Sequence, residues 1–153
     1  MIKFVMYVTL CVCLIFWHFA HLQNPALEVL GAGEFRIYSR QKVESHLISR
    51  RIDIALGHVF ITASYNANAL RAKFTHIDGE SITLNWRIPA RYILNKLGYH
   101  KIESQTIHRM HITYAYSARG RDFITSGSDR INLQIVERAN STTIGWPILL
   151  GGY

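Results

Sequence analysis

An uncharged run of 17 residues from Phe4 to Ala20, behind a single positive charge at Lys3, most constrains what this chain can fold into. A helix crossing a bilayer needs about 20 apolar residues, with about 17 the lower bound, whereas the apolar core of a cleaved signal spans about 7–15. The run is therefore expected to be a retained membrane anchor, with a cleaved signal as the alternative. His18 stands two places before Ala20, where a cleavage site wants a small residue, and bulky Leu10 and Val12 precede Cys11 and Cys13, where lipid attachment also wants small ones. With Lys3 held on the cytoplasmic side, the remainder is carried across the membrane. Residues 1–26 then form the anchor or signal segment, 27–33 a linker containing Gly31 and Gly33, and 34–153 one folded domain.

Both cysteines fall inside the apolar run, so the domain beyond it has no disulfide framework, thiolate metal site or cysteine nucleophile. Its stability must come from an apolar core. A chain of 153 residues, 49% hydrophobic and 18% charged, is apolar enough to build one and is too evenly mixed for several membrane spans. The formal charge is +7, and Lys3 and Glu28 cancel within the first 28 residues, so the excess belongs to the domain. A basic domain outside the cytoplasm meets lipid headgroups, anionic wall polymers or protein partners; nucleic acid is an alternative only for a domain that stays inside.

Periodicity suggests an α+β domain. Glu34 to Tyr38 alternates as a strand. Ser39 is placed to cap a helix carrying Val43, Leu47, Ile48 and Ile52 at helical spacing. Val59, Ile61, Ala63 and Tyr65 then recur at period two. Leu70, Ala72, Phe74 and His76 do the same, and Asp78-Gly79 predicts a hairpin turning into a strand with Ile82, Leu84 and Trp86. Pro89 and Gly98 punctuate a short helix bearing Ile88, Tyr92, Ile93 and Leu97. Three more strands follow, with inward residues Met110, Ile112, Tyr114 and Tyr116, then Ile131, Leu133 and Ile135, then Ile144, Trp146 and Ile148; turns fall at Arg119-Gly120, Ser126 to Asp129 and Asn140-Ser141. Helix plus three strands, given twice (39–86 and 88–150), predicts one curved antiparallel sheet with both helices on one face.

The carboxyl-terminal third carries a resemblance. Met110-His111-Ile112-Thr113-Tyr114-Ala115-Tyr116, Asp122 to Ser126, Arg130-Ile131-Asn132-Leu133-Gln134-Ile135, and Thr143-Ile144-Gly145-Trp146-Pro147-Ile148 before the terminal Tyr153 resemble the end of the YwmB family, over residues 107–153. The resemblance implies a fold like the TATA-box-binding protein, a pseudo-repeated saddle of sheet backed by helices. It also implies an envelope location in endospore-forming bacteria, with a link to sporulation. The family brings no catalytic or ligand residues.

The residues themselves nominate no catalytic, cofactor or metal site. His108 and His111, three apart in a strand, point to opposite faces. His58, His76 and His100 could meet only if neighbouring strands gathered them. The acids Asp53, Asp78, Glu80, Glu103, Asp122, Asp129 and Glu137 sit in turns or beside basic residues, where surface pairing is the ordinary outcome. The strand aromatics Phe60, Tyr65, Phe74, Trp86, Tyr114, Tyr116 and Trp146 are expected in the core. Thr113, Ala115, Asn132, Gln134 and Val136 would then form a mildly polar recognition surface on the other face. The expected function is a non-catalytic, membrane-tethered envelope module that binds a protein partner or an anionic wall polymer. An enzyme with an unrecognised site is a further alternative.

Overall fold

The computed structural model describes residues 32–120 and 122–147; the run 4–20 and the carboxyl-terminal Ile148 and Tyr153 lie outside them. The described chain runs β1 (Glu34–Ser39), β2 (Arg50–Ile54), β3 (Gly57–Ala63), α1 (Ala67–Arg71), β4 (Gly79–Leu84), α2 (Ala90–Leu97), β5 (His100–Ile107), β6 (Met110–Tyr116), β7 (Ile124–Ser126), β8 (Asp129–Ile131), β9 (Leu133–Glu137) and β10 (Thr142–Trp146). Eight strands form one sheet in the order β2-β3-β1-β4-β10-β9-β6-β5, antiparallel at every pairing, and β7 with β8 makes a separate ribbon. The α+β class and the antiparallel sheet agree with the periodicity.

Each half of the chain keeps to one half of the sheet. The two meet at β4 and β10, where Thr83 and Thr143 are opposite one another with their hydroxyls 3.3 Å apart. One face packs on the helices: Phe35 and Ile37, Phe60, Ile82 and Leu84, Ile144, Leu133 and Ile135, and Ala115 form a single buried cluster with Leu70 of α1 and Ile93 and Leu94 of α2. Burying each such side chain is worth roughly 1.5–3 kcal/mol, which is the stabilisation a cysteine-free domain depends on.

Helix α2 forms where it was expected. Pro89 precedes its first turn, Ile93 and Leu94 supply the buried stripe, and Gly98 at φ +70° ends it with its N–H bonded to the Leu94 carbonyl. A left-handed residue at that position favours glycine because a side chain there crowds the backbone.

Three expectations are corrected. Residues 40–49 form no helix. The Ser39 hydroxyl donates to the His76 carbonyl and accepts from Gln41, Ser45 accepts from Leu47, and Thr62 and Ser49 hydroxyls donate to Leu47 and Ile61 carbonyls. These side chains take up the backbone groups a helix would have paired, yet Val43, Leu47 and Ile48 still reach the core. The Asp78-Gly79 hairpin also fails. Residues 67–71 are helical, rich in good helix formers, and the Asp78 carboxylate is engaged by the Arg40 backbone N–H at 3.1 Å and its guanidinium at 3.2 Å.

In β6 the inward phase is inverted. The register sets Thr113 against Ile135 and Ala115 against Leu133, so these two face the helices, and Ile112, Tyr114 and Tyr116 face away. In β3, Val59 and Ile61 share one face, as expected. Phe60 enters the main core, while Val59 and Ile61 pack with Tyr38 and Ile52 on the other side. Edge strand β5 has no counterpart in the sequence reading. It is mostly exposed and polar, and its turn to β6 is made by His108 and Arg109 at φ +46° and +68°, with none of the glycine or asparagine that marks such turns.

Candidate interaction site at the outer rim

Antiparallel pairing gives the sheet two rims. The chain joins the fold at the amino-terminal rim, where Glu34 begins β1 beside the ends of β3 at Ala63 and β4 at Leu84, with Thr142, Glu137 and the β5–β6 turn further along. The outer rim carries Ser39, Gly57, Gly79, Trp146, Leu133, Tyr116 and His100, and the β7–β8 ribbon extends from it.

The ribbon is fastened at its root by Asn132, buried between β8 and β9. Its Oδ1 accepts from the Ser117 N–H at 2.9 Å and its Nδ2 donates to the Ser117 carbonyl at 2.8 Å, while its own N–H reaches the Ala115 carbonyl at 3.0 Å. Gly120 bonds back to the same Ser117 carbonyl at 3.0 Å and lies so close that a Cβ there would stand 2.2 Å from Asn132 Nδ2. One side chain thus replaces a stretch of ladder pairing between β6 and β9 and fixes how the loop 117–120 leaves the sheet.

Above that root, Phe123 is 44% exposed, with the Arg130 guanidinium 4.7 Å from its ring centroid and Tyr116 edge-on at 6.5 Å. His100 is the cross-strand neighbour of Tyr116. Arg119 reaches the carboxyl end of α2, its Nη1 3.7 Å from where a Gly98 Cβ would be. Asp122 and Asp129 flank the ribbon, so charge here is mixed rather than uniformly basic. On the far side of the same rim, the β2–β3 turn exposes Ile54 and leaves Leu56 84% accessible. An aromatic ring with a guanidinium on its face, above a hydrogen-bonded asparagine, matches the aromatic and arginine residues in which protein interface anchors are rich.

The other nominated residues are distributed as follows. Thr113 and Ala115 face the helices, and Asn132, Gln134 and Val136 are buried as well, so the five do not make an open recognition surface. Phe60 is core, with Phe74 edge-on at 5.0 Å, and Trp146 packs against the same cluster. Tyr65 and Trp86 lie beyond the ends of their strands and are exposed, contrary to expectation, because β3 closes at Ala63 and β4 at Leu84. His108 occupies the β5–β6 turn, while His111 lies 3.3 Å from the Thr106 hydroxyl. His58 and His76 sit near one edge of the sheet and His100 on the opposite edge strand, so those three do not gather. Among the described residues, no group of three or more histidines or acids could hold a metal ion, and no buried side-chain polar atom lacks a partner.

Electrostatic perturbation is dispersed over the described residues rather than gathered at one rim, and, against the opposing effect of burial, the Arg36 guanidinium is held above its ordinary value beside Glu34. The Asp53 carboxyl is held below its ordinary range by the hydrogen bond to His58 at 2.7 Å and by Arg51 at 3.2 Å. Burial pushes the Tyr99 hydroxyl up, opposed by a hydrogen bond from Trp146. Elsewhere Arg71 pairs with buried Glu80, and Arg87 reaches buried Glu137 at 3.4 Å.

The ribbon platform had one legible cue in the sequence, the pair of turns at Arg119-Gly120 and Gly127-Ser128 bracketing Phe123. The clamp had none, because an asparagine inside an alternating stretch looks like an exposed strand position. No protein-family model, no curated protein and no solved structure matches this chain.

Proposed function

We propose that this protein is a non-catalytic binding module, tethered to the membrane by residues 4–20, whose β7–β8 ribbon engages a protein partner on the far side of that membrane. The observation that carries the reading is the Tyr116–Phe123–Arg130 platform held on the Asn132 clamp. A half-exposed aromatic already packed against Tyr116 and a stacked guanidinium has less side-chain freedom to lose on binding, and such aromatic and arginine residues are where interface affinity is concentrated. Mixed charge favours a folded protein over a polyanion, which would call for a surface of one sign. The YwmB resemblance supports an envelope location and a link to sporulation, and the division of the sheet into two four-stranded halves supports a saddle of TATA-box-binding-protein type.

The test is site-specific photocrosslinking in intact cells with the full chain. A photoreactive phenylalanine at position 123 is expected to give one discrete protein adduct, lost with Arg130→Glu, while the same group at position 65 does not give it. No protein adduct at 123, together with salt-sensitive retention of wall polymer by the full chain, would replace the protein partner with the polymer.

A further inference from the structure

The amino-terminal rim has a different chemistry from the outer one. Ser64 donates its N–H to the Gly33 carbonyl at 2.9 Å and its hydroxyl accepts from the Gly33 N–H at 3.0 Å, so the next residue, Tyr65, stands beside the point where the chain joins the fold, 84% exposed. Trp86 follows the end of β4 on the other side of β1 and is 43% exposed. Arg87 and Arg91 flank the start of α2, tied to this rim by the Ile88 N–H bond to Thr142 at 2.8 Å, and Arg109 forms the β5–β6 turn beside exposed Ile107. The acids at this rim, Glu34 and Glu137, are already engaged by Arg36 at 2.7 Å and Arg87 at 3.4 Å.

We propose that this rim lies on the headgroup layer of the membrane, with Tyr65 and Trp86 in the interfacial zone and Arg91 and Arg109 on the phosphates of anionic phospholipids. Amphipathic indole and phenol rings are enriched at that depth because one end is apolar and the other hydrogen-bonds to water. Basic residues close to an anionic surface add about a fivefold gain in partitioning each. The inference rests on reading residues 4–20 as a membrane span. From Ala20 to Glu34 the backbone can reach about 50 Å at most, so a span there keeps the domain close to the bilayer, and the rim bearing Glu34 is the one nearest that attachment along the chain. The occupant is thus identified by charge complementarity and by where the apolar run connects.

The test uses the full chain in vesicles of phosphatidylcholine, with and without phosphatidylglycerol, containing a headgroup spin label. Trp17→Phe with Trp146→Phe leaves Trp86 as the sole tryptophan of three. A second protein carries its sole tryptophan through Phe123→Trp, with Trp86→Phe added. Trp86 is expected to be quenched ~2-fold or more over the residue at 123 in anionic vesicles, with the difference falling in phosphatidylcholine alone and on Arg91→Glu with Arg109→Glu.

Equal quenching at 86 and 123, or quenching of Trp86 indifferent to lipid charge, overturns the rim assignment. Extraction in alkaline carbonate reports on the span separately. A chain that resists extraction but shows no preferential quenching of Trp86 keeps its anchor and loses the rim contact. A chain that is extracted yet remains quenched at Trp86 on anionic vesicles keeps the rim contact and loses the anchor.

Discussion

The two rims of this sheet are built from the same strands and differ in what they fasten. At the amino-terminal rim the acids are consumed in ion pairs, and exposed arginines alternate with exposed Tyr65 and Trp86. At the outer rim both signs of charge surround one aromatic platform, and a buried asparagine locks its base. A surface that meets many identical headgroups needs charge of one sign and amphipathic rings but no rigid shape. A surface that meets one protein needs an anchor held in one orientation.

Breaking the clamp should give the largest effect. Asn132→Ala removes the acceptor from the buried Ser117 N–H and is expected to cost about 2–3 kcal/mol in urea unfolding. Trp86→Ala at the other rim should cost under about 1 kcal/mol, as exposed positions do. If the two costs are equal, the outer rim is not specially fastened. Gly98→Ala should fall between them at about 1 kcal/mol, because its φ of +70° strains any side chain. Phe123→Ala should leave stability within about 1 kcal/mol of the parent while abolishing the protein adduct formed from a photoreactive phenylalanine placed at position 116; a large loss of stability instead would make the platform a packing element.

Titration sharpens the contrast more gently. Asp53 is held below its ordinary 3.8 by the hydrogen bond from His58 and by Arg51, so its contribution is present above 3.8 and is lost as pH falls through the lower folded value. The difference in melting temperature between the parent and Asp53→Asn should therefore shrink in acid, and only slightly, since the group is exposed. Tyr99 behaves oppositely. Burial holds its proton, so its contribution is intact below 10.0 and is lost as pH rises from there through the raised folded value. Tyr99→Phe should flatten that alkaline loss.

The sequence announced the sheet better than it announced the site. Alternation located β1, β3, β4, β9 and β10, and Pro89 with Gly98 bounded α2, because each of those patterns states a backbone requirement directly. Phase was harder. In β6, Ile112 and Tyr114 are the large apolar residues, yet small Thr113 and Ala115 are what fits beneath α2, and no property of β6 alone reveals which neighbour it must accommodate. The apolar residues of 43–48 reached the core as their spacing suggested, but in a loop, because serine and threonine hydroxyls served the backbone locally.

For the site, Phe123 and Arg130 become neighbours only through the ribbon pairing of Ile124 with Ile131, and Tyr65 and Trp86 share a rim only through β3, β1 and β4. These juxtapositions are properties of register, which is set by long-range packing rather than by local spacing.

Hydroxyl-radical footprinting of the full chain, in anionic vesicles against detergent, tests the division of labour between the rims most directly. Oxidation of Tyr65 and Trp86 should fall in vesicles while that of Tyr116 and Phe123 stays unchanged. Protection of Phe123 by the lipid, or equal protection at both rims, would contradict it.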